Sequence, residues 1–105
     1  MAFKRVASLQ EIREGTGLRV ILDTLEIGLY RVGDACYAME NMCPHMGYPL
    51  CDGELEGSMI TCPGHGWEFS VVTGLAPGEV QEPPLARYPV RIEGDEVLID
   101  VDSLL

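Results

Sequence analysis

Two short loops of this chain each pair one cysteine with one histidine: Cys43-Pro44-His45 and, sixteen residues later, Cys62-Pro63-Gly64-His65. The chain has only two histidines. Each follows a cysteine by two or three positions and lies in a stretch bounded by glycine and proline. A thiolate and an imidazole this close can curl round one side of a metal centre, so the two loops would clamp such a centre between them. Tetrahedral zinc also takes two cysteines and two histidines, but its usual spacing pairs like with like. Here each loop pairs cysteine with histidine, and the first pair is separated by a single residue.

Such loops need a rigid scaffold. Over 105 residues the chain has room for one domain, 1–105, with one core. Short alternating or β-branched runs recur between turn residues: FKRVAS, GLRVILD, EIGLYRV, ACYAME, SMITC, ARYPVRIEG and DEVLIDV. They predict an all-β fold with a small antiparallel sandwich or barrel as its base. Gly33-Asp34 and Gly94-Asp95 each separate two such runs, as hairpin turns do. The one helical signal spans Leu9 to Glu14, with Ser8 and Glu11 in capping-box spacing and Gly15 as the stop, and allows at most two turns. Between about 42 and 84 the pattern is broken by most of the chain's prolines and glycines. That region reads as loops inserted in the β base, where chemistry tends to sit.

Seventeen acidic residues against seven basic ones leave a net charge of -10. Such a surface repels nucleic acid and anionic membranes; its plainer reading is that it keeps a small protein soluble, its sharper one that it steers the chain toward a basic docking patch on a protein partner. The first fifteen residues are broken by charge and hold no apolar core of a signal peptide, so the expected location is the cytoplasm. Cysteines there stay reduced, which favours ligands or free thiols over a Cys36–Cys51 disulfide. Both of those cysteines are expected to be small buried hydrophobes.

The order C-x-H, sixteen residues, C-x-x-H, followed at once by Gly66-Trp67-Glu68-Phe69, resembles a Rieske iron-sulfur protein, whose [2Fe-2S] centre carries two histidines on one iron. The likeness extends through LEGSMITCPGHGWEFSVVTG and ARYPVRIEGDEVLIDVD to most of the chain, which is similar to the small Rieske-type ferredoxins of bacterial aromatic-ring dioxygenases. The resemblance implies a Rieske fold with one [2Fe-2S] cluster. Cys43 and Cys62 would hold the inner iron, and His45 and His65 the outer one. It further implies a monomeric electron carrier rather than an enzyme, taking electrons from a flavin-dependent ferredoxin reductase and passing them to a terminal oxygenase. Two other readings remain: the small subunit of an assimilatory nitrite reductase, built on the same fold, and a zinc-stabilised interaction module.

With two thiolates and two neutral imidazoles the oxidised cluster is uncharged, whereas four thiolates would leave it doubly negative. Adding an electron is then easier, which lifts potentials from about -400 mV into a range of about -150 to +300 mV. High-potential relatives of this type carry a disulfide between the two loops and hydroxyl donors to sulfur. By the resemblance Tyr48 and Gly64 stand at the disulfide positions, and Trp67 and Phe69 at the Ser and Tyr positions. Without these devices, and with an acidic chain, a potential near -150 mV is expected.

Gly47, Gly64 and Gly66 would let backbone N–H groups approach the cluster sulfurs. The segment Ala76 to Leu85, with Pro83 and Pro84, resembles a third loop that shields the cluster. Trp67 and Phe69 alternate with Glu68 as core residues of a strand, while Met46, Tyr48 and Pro49 would form an apolar rim around His45 and His65 and a small docking surface.

Overall fold

The computed structural model describes residues 3–42, 48–64, 66–75 and 85–103. Among these residues ten strands form three antiparallel sheets. These are β1 (Lys4–Ser8), β2 (Gly17–Leu22), β3 (Leu25–Val32), β4 (Ala35–Glu40), β5 (Leu55–Glu56), β6 (Met59–Thr61), β7 (Glu68–Ser70), β8 (Arg87–Tyr88), β9 (Val90–Glu93) and β10 (Glu96–Ile99). The central sheet runs β2-β3-β4-β8, a second runs β1-β10-β9, and a third runs β5-β6-β7. Among the described residues no helix is long and apolar enough to cross a membrane.

The central sheet is covered on both faces. Ile27 and Leu29 of β3, with Cys36 and Ala38 of β4, pack with Ala7, Val97 and Ile99 of the second sheet. Tyr30 and Met39 project to the other side, among Leu50, Leu55, Ile60, Phe69 and Val71. This explains why Ile27 through Tyr30 are buried without alternation: alternate side chains still point to opposite faces, but along these four residues both faces are covered.

Each predicted run finds a strand, with two differences. ARYPVRIEG is divided at Pro89 into β8 and β9, which belong to different sheets. Proline has no N–H to donate to a ladder, so the chain turns the corner there, with the Pro89 carbonyl accepting from Asp100 N at 3.2 Å. The helical signal shrinks to one 3-10 turn, Leu9–Glu11, and Ile12 is already extended. The Glu11 carboxylate does accept from Ser8 N at 2.8 Å, and that backbone hydrogen bond, with a second from the Ser8 side chain, holds its carboxyl below the usual range. Both expected hairpin turns form. Gly33 joins β3 to β4 with φ +63° and Gly94 joins β9 to β10 with φ +62°, left-handed conformations that glycine adopts freely.

The chain leaves the central sheet at Glu40 and rejoins it at Ala86. Glu40 N donates to Ala86 O at 2.8 Å, and Ala86 N donates to the Glu40 carboxylate at 3.0 Å. The described residues between these two include the third sheet, which is tied to the base a second time by Leu55 N donating to Gly15 O at 3.0 Å.

Candidate metal centre

Of the four candidate ligands, Cys62 lies within the described residues; Cys43, His45 and His65 lie outside them. Cys62 directly follows β6. Its backbone is closed into a tight loop, with Cys62 N donating to Trp67 O at 2.7 Å and Gly66 N donating to Cys62 O at 3.0 Å. The residue is 1% exposed and packs with Leu50, Leu55, Ile60 and Phe69. Its thiol is free. A loop closed in this way carries a thiol on a dry apolar floor, as the inner side of an iron-sulfur centre requires.

The first loop is tied shut at its base by Asn41. The Asn41 side chain accepts from Cys51 N at 2.7 Å, and its amide donates to Cys51 Sγ at 3.1 Å and to the Glu26 carboxylate at 3.2 Å. Asn41 is 2% exposed, and its two bonds to Cys51 are formed away from water, while the bond to Glu26 reaches the surface. They bring together residues 41 and 51, on either side of Cys43 and His45, and hang that loop on β3 through Glu26. Arg19 of β2 closes the far side, 3.6 Å from Asp52 and 3.8 Å from Glu26. Hydrogen bonding to Cys51, followed by the charge of Glu26, raises the Arg19 pKa further.

Asn41→Ala removes the acceptor for a buried N–H, a loss of about 2 kcal/mol. We expect the thermal midpoint of the holoprotein to fall by roughly 10 °C and the visible colour to be lost before the β base unfolds, as followed by absorbance and circular dichroism in one melt. A midpoint within about 2 °C of the parent would show that Asn41 does not hold the loop.

Cys36 and Cys51 are both free and buried, as expected from sequence, but Cys51 is more than filler because it belongs to the Asn41 network. Burial is the main influence raising its thiol pKa, against the opposing hydrogen bond from Asn41. Burial likewise raises the Cys36 thiol. Both stay protonated at neutral pH.

Phe69 is fully buried, while Trp67 is half-buried at the margin of the same core. Tyr48 is 41% exposed and Pro49 half-buried; Met46 and Gly47 lie outside the described residues. Met42, immediately before Cys43, is 58% exposed. Of the third loop, 76–84 lie outside the described residues, but its neck is defined: Leu85 N donates to Gly74 O at 2.8 Å and Ser70 N to Leu75 O at 2.9 Å.

The donor chemistry and the dry floor under Cys62 fit a [2Fe-2S] cluster, and comparison with known proteins agrees. The profile of the Rieske [2Fe-2S] domain matches residues 2–89. The ferredoxin component of a naphthalene 1,2-dioxygenase system from Pseudomonas aeruginosa is 42% identical over 94 residues, 90% of either chain. Among solved structures, a Sphingomonas yanoikuyae B1 ferredoxin superposes with a TM-score of 0.86 at 30% identity, covering 94% of this chain and 98% of the other. A chain from the complex of reduced oxygenase and oxidized ferredoxin in carbazole 1,9a-dioxygenase gives 0.82 at 34% identity, covering 92% and 91%.

Proposed function

Because the chain belongs to the Rieske [2Fe-2S] domain family, we propose that it is the ferredoxin component of a bacterial aromatic-ring dioxygenase system. It carries single electrons from a flavin-dependent reductase to a terminal oxygenase. The observation that carries this reading is 42% identity over 90% of both chains to a component of that kind. The mutual coverage matters, because the match spans a whole small carrier rather than the cluster module of a larger enzyme. A structure at 34% identity comes from a complex of ferredoxin with oxygenase, which supports the same partner class here.

We read the whole chain as one Rieske domain whose cluster-binding part, about 42–84, is inserted in the β base. The cluster is held by Cys43, His45, Cys62 and His65, and the carrier works as a cytoplasmic monomer. When bound, the cluster takes up and gives back one electron. The chain's own residues do the rest. Asn41 and the Cys62–Trp67 loop hold the ligand-bearing segments, Leu50, Ile60 and Phe69 exclude water from below, and exposed Met42 and Tyr48 leave an apolar margin for brief contact with partners. Transient redox complexes bury less than about 1,200 Å², so a margin of this kind can make up much of such an interface.

Protein purified without oxygen should be red-brown, contain two irons and two sulfides per chain, and give a rhombic EPR signal with average g below 2 after reduction with dithionite. A colourless protein with one zinc and no sulfide would refute the reading.

A further inference from the structure

Tyr48 immediately follows the segment that contains Cys43 and His45, and Gly64 stands between Cys62 and His65. A Cβ built on Gly64 would lie 2.1 Å from Tyr48 Cδ2 and 2.2 Å from Cε2. The phenol ring therefore fills the space that any side chain at position 64 would need. Gly66, two residues on, is the contrasting case. It has φ +80° and open space around its Cα, so its backbone conformation favours glycine. Gly64 has no such positive φ, and what its position excludes is a collision with the ring.

We propose that Tyr48 and Gly64 form a clasp, ring against backbone, that pins the two cysteine–histidine loops to each other and limits water access to the cluster. The proposal rests on the ligand assignment above. Among the described residues this is a direct contact between the two loops, reaching across the fifteen positions between them, which include β5 and β6. The Asn41 network, by contrast, ties the first loop to itself. Both residues are positioning residues. Tyr48 is 41% exposed, so the ring can cover the cluster side of the loops while its other surface meets solvent. Reduction adds negative charge to a centre that is neutral when oxidised, and water stabilises that charge better than an aromatic ring does. Removing the ring should therefore raise the reduction potential as well as loosen the loops.

The test uses the holoprotein and the variants Tyr48→Phe, Tyr48→Ala, Gly64→Ala and Tyr48→Ala/Gly64→Ala. The rate of colour loss to an iron chelator and the potential from an EPR-monitored redox titration are read for each. Tyr48→Ala is expected to lose its cluster about tenfold faster, the size of coupling found between touching side chains, with a raised potential. Tyr48→Phe, which keeps the ring, should stay within about twofold of the parent on the same scale. Gly64→Ala should be as labile as Tyr48→Ala or more so, and the double variant no worse than Tyr48→Ala, since the colliding pair is gone. If Gly64→Ala yields no holoprotein, a loaded double variant supports the clasp and an unloaded one refutes it. Parent protein without iron would overturn the ligand reading and the clasp together. A loaded parent indistinguishable from Tyr48→Ala would overturn the clasp alone.

Discussion

Replacing His65 or His45 by cysteine is expected to lower the reduction potential by roughly 125 mV or to leave the protein without its cluster, because one added thiolate supplies half the ligand-charge difference between about -150 mV and the low-potential ferredoxins near -400 mV. The reasoning needs only the charge of the ligand set. An imidazole that leaves neutral and a thiolate that arrives negative change the electrostatic work of adding an electron by one full charge at bonding distance. The comparison protein should be the parent measured in the same buffer and salt, since a net charge of -10 makes its potential sensitive to screening. Unchanged potentials in both variants would show that the histidines are not ligands.

Gly53→Ala should be the most damaging methyl group added to any described glycine. A Cβ at Gly53 would lie 1.8 Å from the carbonyl oxygen of Thr61 and 3.3 Å from that of Leu50. Both obstacles are backbone. Neither can rotate aside, and Thr61 N is already engaged with Glu54 O at 3.0 Å. Relief requires the turn at Leu50–Asp52 to move away from β6, which separates the exit of the first loop from the strand that delivers Cys62. Overpacking of this kind costs on the order of 3 kcal/mol or more, and we expect little folded holoprotein. Gly57→Ala is the control. Its neighbourhood is open and only its φ of +62° opposes a side chain, at about 1 kcal/mol. Equal thermal midpoints for the two variants would contradict the close approach.

The strands other than the two-residue β5, and both glycine-led hairpins, were legible because each depends on a local rule: alternation along the strand, and a left-handed residue between two strands. The division at Pro89 was legible in principle, since a proline inside a run already argues against one continuous strand. What sequence could not supply was the set of contacts between remote segments. Asn41 looks like an ordinary loop residue until residue 51 is brought back to it, and Gly53 like an ordinary turn glycine until Thr61 is laid across it. The same holds at the centre. Cys43, His45, Cys62 and His65 stand out by type and spacing; Tyr48 and Gly64 are paired on sequence only by the resemblance, as the two disulfide positions, and the packing of the ring on the backbone has no local signature. On sequence one physical reason, backbone approach to sulfur, covers Gly47, Gly64 and Gly66 alike. The structure separates Gly64, excluded from bearing a side chain by a ring, from Gly66, which adopts a left-handed turn.

The two-sided central sheet also has a kinetic side. Strands β2, β3 and β4 form an uninterrupted meander, with Leu22 opposite Leu25 and Val32 opposite Ala35, so their pairing closes only short segments of chain. The pairings of Ala38 with Tyr88 and Lys4 with Ile99 close far longer ones, and the entropy of such closure slows them. Refolding should then start in the meander and end with β1 joining β10. Destabilising changes at Ile27 or Leu29 would slow folding, whereas changes at Ala7 or Val97 would chiefly hasten unfolding. The neck at Glu40 and Ala86 closes between these extremes, which makes cluster capture an event of a chain whose first three central strands are already paired.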